Sequence, residues 1–240
     1  MRENVAKQTV MVIVAHPDDA EFMAGGTVAK WAGEGKELIY VVCTEGDKGS
    51  DDPTLRSRDV AAIRKVEQER AAEILGVRQV VFLGYEDGAL TPSVHLRFDL
   101  TREIRRHRPD VIICPDPSMW YQAQQYVNHP DHRAAGEAAL AAAYPAAQNR
   151  LTFEHLLAEG LEPHKVGELY LAGTNNADKW VDISDTIELK IRALRAHRSQ
   201  VGGFDELADF IRRWAREDAR ASGRPMECAE AFKYISLEHF

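Results

Sequence analysis

The chain has 240 residues, 45% of them hydrophobic, and a formal net charge of −8. That is enough apolar material for a substantial core, and no segment approaches the ~20 apolar residues of a membrane-spanning helix. The negative balance argues against a nucleic-acid partner, because affinity for a phosphate backbone needs clustered cations.

The opening Met1-Arg2-Glu3-Asn4 has no signal-peptide architecture, so a cytoplasmic protein is expected. Val12-Ile13-Val14-Ala15 reads as a buried strand that ends at His16-Pro17-Asp18-Asp19, since Pro17 has no N–H to give to a central ladder. His16, Asp18 and Asp19 are left at the carboxyl edge of that strand, where open α/β sheets bind ligands. Phe22 to Gly35 is a short helix. Its Gly25-Gly26 pair does not make G-x-G-x-x-G and is read as close packing of helix on sheet.

Glu37 to Thr44 is a second strand that runs into the polar loop Glu45 to Pro53, whose acidic residues are read as solvated turn chemistry. Arg56 to Leu75 is an amphipathic helix closed by Gly76. Val80 to Leu83 is the third strand, Leu96 to His107 a helix and Val111 to Cys114 the fourth strand. Arg105, Arg106 and Arg108 cluster where they complement a helix dipole. Cys43, Cys114 and Cys228 lack metal-type spacing; the first two lie in strand-like runs and read as buried small hydrophobes.

Strands alternating with helices predict a Rossmann-like α/β fold, a mostly parallel sheet with helices on both faces. The fourth strand then delivers a long loop, with Trp120, Tyr121 and Tyr126, to Asn128-His129-Pro130-Asp131-His132. Arg133 to Tyr144 is an Ala-rich helix that starts at this cluster. Beyond Pro145 the rhythm loosens into strands at Leu169 to Leu171 and Trp180 to Ile183. A Ser184-capped helix from Asp185 to about Ser199, a charged helix from Phe204 to Arg220 and a last strand at Phe232 to Leu237 follow. One domain is expected, with a core over about 8–150 and a C-terminal elaboration over about 151–240.

His16 and Asp19 suit a divalent cation, and a catalytic zinc usually takes three protein ligands plus water. The second His-Pro-Asp element is the best source of the third. Neighbouring carboxylates should diverge, so Asp19 can bind metal while Asp18 faces the water on it. Such a water titrates near pH ~7, and a carboxylate beside it can take its proton.

Together these elements make Ala15-His16-Pro17-Asp18-Asp19-Ala20-Glu21 and His129-Pro130-Asp131-His132, and the chain resembles the PIG-L/LmbE-like family of zinc-dependent N-acetylglucosaminyl deacetylases. Ile63-Arg64 with Glu67, Leu75-Gly76, Val181-Asp182-Ile183-Ser184, and His197 with Ser199-Gln200 extend the match over roughly residues 10–200. The resemblance implies His16, Asp19 and His132 as zinc ligands and Asp18 as general base. It implies His129 as the group that supports the oxyanion or protonates the leaving amine. Asp131 would orient a histidine. Arg64 matches an arginine near the acyl site, the alternative being a surface ion pair with Glu67.

An N-acetyl amino sugar or a conjugate of one is the implied substrate, with no membrane or nucleic-acid partner and with a homo-oligomer compatible. Other divalent transition metals also suit such ligands. Trp120, Tyr121 and Tyr126 suggest either sugar stacking or ordinary loop packing. His197 either closes the site or is structural. The long aromatic loop departs from the simplest family pattern, so the acceptor need not be a plain monosaccharide. Two other readings stay open: a metallohydrolase of another amide or ester conjugate, such as a thiol-glycoside, and a metal-free nucleotide-binding module.

Overall fold

The computed structural model describes residues 7–122 and 126–237. Strand β1 spans Thr9–Val14, and its residues alternate between two apolar layers as a period-two backbone requires. Val10, Val12 and Val14 pack against helix α1 (Asp19–Gly33) and helix α2 (Ser57–Leu75). Met11 and Ile13 pack on the other side against helix α3 (Val94–His107) and helix α4 (Pro130–Ala141). With both faces covered, Val10 to Val14 are all buried, as expected of a central parallel strand.

The remaining strands are β2 (Glu37–Thr44), β3 (Gln79–Tyr85), β4 (Val111–Pro115), β5 (Tyr121–Gln122), β6 (Tyr126–Val127), β7 (Glu168–Ala172), β8 (Lys179–Asp182) and β9 (Ala229–Ser236). Seven of the nine form one sheet in the order β3-β2-β1-β4-β7-β9-β8. β1 pairs in parallel with β2 on one side and β4 on the other, Val10 facing both Leu38 and Val111. The chain therefore reverses its winding between β1 and β4, and the crevice above their carboxyl ends is the ligand position of such sheets.

β7 continues the parallel run beside β4, whereas β9 and β8 close the edge antiparallel. Helices α5 (Ile187–Leu194), α6 (Arg198–Val201) and α7 (Leu207–Ala221) cover that edge around Ile183, Ile187, Ile191, Leu207 and Ile211. β5 and β6 form a small hairpin on the loop after β4, an element with no signal in the sequence pattern.

Two expected helices end differently. α4 stops at Ala141 and passes into a π turn over Ala142–Ala146, because Pro145 drives Tyr144 to φ −143° and ψ 125°. The helix expected from Asp185 to Ser199 starts later and breaks at Leu194. Ser184 does not cap it: its hydroxyl donates to Asp182 (2.6 Å) and accepts from the Cys228 amide (3.1 Å), tying β8 to β9.

The paired glycines of α1 serve packing. A Cβ on Gly26 would sit 2.7 Å from Ile183, and the Gly26 and Thr27 amides donate to Glu230 at 2.9 and 2.7 Å. Those amides are spent on a buried carboxylate, which removes the phosphate cradle a nucleotide module would need. Arg105 is not a dipole complement at the surface. It is buried and donates to the carbonyls of Ala146, Ala147, Asn149 and Thr152. All three cysteines are buried and free.

Candidate active site

The turn after β1 decides where the carboxylates point. Asp18 holds φ at 99°, a left-handed conformation, so Asp19 starts α1 with its side chain directed away from that of Asp18. Asp19 Oδ2 accepts from the His16 amide at 2.8 Å and lies 3.3 Å from His16 Nδ1. Its other oxygen lies 3.0 Å from His132 Nε2. His132 comes from the first turn of α4, which Pro130 opens at a position where no amide donor is needed. The donor atoms of His16, Asp19 and His132 lie within 4.8 Å of one another.

Each imidazole has its proton held on the outer nitrogen. Asn128 donates from Nδ2 to the Met119 carbonyl at 2.7 Å, which turns its Oδ1 toward His132 Nδ1 at 3.0 Å. Nδ1 therefore carries the proton and Nε2 presents a lone pair inward. His16 Nε2 sits 3.1 Å from Asp87 and 3.3 Å from Asp131, so its lone pair is at Nδ1. Asp131 is fixed in turn by the amides of Gly88 (2.7 Å) and Leu90 (3.2 Å).

The electrostatics favour a cation. Burial opposes charge on His16, yet Asp19, Asp131 and Asp87 raise its pKa, so the carboxylates around the ring favour positive charge here, whether as a proton on Nδ1 or as an ion bound in that proton's place. Burial likewise opposes charge on Asp19, but His132 and His16 hold its carboxyl well below the usual range. Two inward lone pairs, one carboxylate and an open side match the donor set of a catalytic divalent metal. His16, Asp19 and His132 could hold such an ion.

Asp18 borders this group. Burial first, then Asp19, raises its pKa to about 7, against the pull of Arg64, His197 and His16. That value suits a proton acceptor working near neutrality. Arg64 Nη2 lies 3.3 Å from the Asp18 carboxylate and donates to the Pro17 carbonyl at 2.6 Å, while Nη1 reaches the Gly46 carbonyl at 3.0 Å. The surface pairing with Glu67 does not occur: Arg64 is buried, and Glu67 instead binds the Ser199 amide and hydroxyl.

His129 stands at the N-cap of α4 with Nδ1 accepting from the Asp131 amide at 3.2 Å. Its proton is then on Nε2, and its ring centroid lies 4.7 Å from that of His16. Burial and His16 lower its pKa, which keeps it a neutral donor.

Sequence reasoning gave no role to Asp87, Asn128, Gln68, Glu21 or Asp47. Asp87 reaches His16 from the loop after β3, and Asn128 orients His132 from four residues upstream. Gln68 on α2 accepts from the Asp18 amide at 2.9 Å and donates to Glu21 at 3.0 Å. Glu21 also meets His197 at 3.2 Å; both are buried, so His197 acts inside the protein rather than as a closing group. Asp47, read as turn chemistry, is buried and accepts from the Asp87 amide at 3.1 Å. Loops that leave one sheet edge can share a site, and that was the available signal.

Asp19 and His132 open on a cleft of about 620 Å³ that Tyr126 helps to line. Trp120 and Tyr121 are exposed outside it, and the Arg133 guanidinium lies 4.0 Å over the Trp120 ring.

A family model described as PIG-L, GlcNAc-PI de-N-acetylase, matches residues 11–143. A diacetylchitobiose deacetylase from Thermococcus kodakarensis is 35% identical over 191 residues, 80% of this chain and 69% of the relative. A 1D-myo-inositol 2-acetamido-2-deoxy-alpha-D-glucopyranoside deacetylase from Rhodococcus erythropolis is 30% identical with 84% of each chain covered. Among solved structures, the N,N′-diacetylchitobiose deacetylase from Pyrococcus horikoshii superposes with a TM-score of 0.86 at 33% identity, covering 96% of this chain and 85% of that one.

Proposed function

Because the chain belongs to the PIG-L family, we propose that it hydrolyses the N-acetyl group of an amino sugar or amino-sugar conjugate, with zinc on His16, Asp19 and His132. The observation that carries this reading is the meeting of those three donors beside Asp18. A zinc ion held there supplies Lewis-acid polarisation of the amide carbonyl and lowers the pKa of water.

The chain's own groups do the rest. Asp18 takes the proton of the attacking water, held for that task by Arg64 and by the Gln68 contact to its amide. His129 donates from Nε2 to the oxygen that becomes negative, a kind of support that is often the largest catalytic term. Asp131 and Asp87 keep the His16 ring aligned and are positioning residues. As the C–N bond breaks, the proton on Asp18 passes to the leaving nitrogen, giving acetate and a free amine.

The substrate class is supported by relatives named for acetylated glucosaminides. The whole chain acts as one domain in this reading, because the C-terminal strands extend the sheet that carries the site. Among the described residues no helix is long and apolar enough to cross a membrane. A cytoplasmic enzyme acting on small molecules is the corresponding proposal.

Acetate release from N,N′-diacetylchitobiose and N-acetylglucosamine tests it. Asp18→Ala should retain bound metal while turnover falls by about 10²–10⁴-fold, the usual contribution of a positioned base. Undiminished turnover in that variant refutes the assignment.

A further inference from the structure

The cleft that begins at Asp19 and His132 has a second wall that no step above uses. Helix α7 divides its residues between two faces. Leu207, Ile211, Ala215 and Ala219, four apart, are buried against α5 and the sheet edge. Phe210, Arg213, Trp214 and Glu217 occupy the other face at i, i+3, i+4 and i+7 and line the cleft. Trp214 and Phe210 are half-buried with ring centroids 6.3 Å apart, whereas Arg213 and Glu217 are exposed beside them. Phe22 and Met23 of α1 connect this wall to Asp19 and His132.

We propose that this face of α7 is the subsite for a second pyranose ring, glycosidically joined to the sugar whose amide is cleaved. The inference rests on the deacetylase reading and specifies which part of the substrate lies where. At about 620 Å³ the cleft is the size of a site for a drug-sized ligand, roughly 300–1,000 Å³, and more than one sugar ring requires.

The chemistry of the wall selects the occupant. A pyranose ring presents an apolar C–H face edged by hydroxyls. Trp214 and Phe210 offer flat apolar area, and Arg213 and Glu217 offer a donor fork and acceptor oxygens at its edge. A plain acyl tail would have no use for that charged pair and would bury part of it without a partner. The ring bearing the amide stays at the other end, among Asn128, His132 and Tyr126.

The test compares kcat/KM for N,N′-diacetylchitobiose with that for N-acetylglucosamine. In the unaltered protein the disaccharide should be preferred. W214A should cut that ratio about tenfold, the size of one pocket contact, chiefly through a higher KM for the disaccharide. W214F should restore most of it. R213A alters an exposed residue and should lower the ratio even if W214A folds poorly.

A ratio that stays constant in both W214A and R213A removes the subsite and leaves the deacetylase reading intact. If the unaltered protein releases acetate from neither sugar, the hydrolytic reading fails instead. Tryptophan fluorescence titrated with diacetylchitobiose still decides the subsite in that case: a ligand-dependent change absent from W214F supports it, and one retained in W214F overturns it.

Discussion

His132 offers a lone pair at Nε2 because Asn128, itself pinned by the Met119 carbonyl, accepts a hydrogen bond from Nδ1–H. Asn128 touches no expected ligand position other than through that ring. Asn128→Ala should therefore leave all three metal ligands in place and still weaken metal affinity by about 10–100-fold, the usual cost of losing such a support. Competition with a chelator measures it, and an unchanged affinity would contradict the orientation argument. His16, Asp18, Asp19, His129, Asp131 and His132 were legible because two short His-Pro-Asp segments carry them. Asp87 and Gln68 were not, since each is an isolated polar residue in an ordinary loop or helix. Their partners come close only once the sheet edge is built.

Helix α4 has to lie close to β4 for Asp131 and His132 to reach residues at the end of β1. Gly136 permits this, because a Cβ there would stand 2.2 Å from the Pro115 carbonyl oxygen, which is backbone and has little room to move. Gly136→Ala should destabilise the fold by about 1–3 kcal/mol, as overpacking does. For a chain of this size that is about 2–4 °C of Tm per kcal/mol. An unshifted thermal midpoint would mean that α4 is free to move outward. At this scale the first four strands and α1 to α3 were readable from periodicity and from turn residues such as Gly76, whose φ is +78°. The errors cluster after Pro145. There a serine hydroxyl had a tertiary partner in place of a helix cap, and the orientation of the last strands depended on neighbours far along the chain.

At the scale of the molecule, the sheet order places the carboxyl ends of β1 and β4 at the reversal of winding, and both His-Pro-Asp segments follow those strands. A mostly parallel sheet was expected from alternation, and the antiparallel closure by β8 and β9 was not, because strand direction leaves no local trace. The C-terminal part does more than cover an edge. Lys190 of α5 and Glu230 of β9 form a buried 2.7 Å ion pair, and Glu230 also receives the α1 amides, locking that part onto the helix that begins at Asp19. Amide cleavage should require one cation on His16, Asp19 and His132. The direct test strips the purified protein with a chelator and follows acetate release from N,N′-diacetylchitobiose as zinc is returned. Activity should be absent at first and rise to a plateau near about one ion per chain. Full activity in the stripped protein would contradict it.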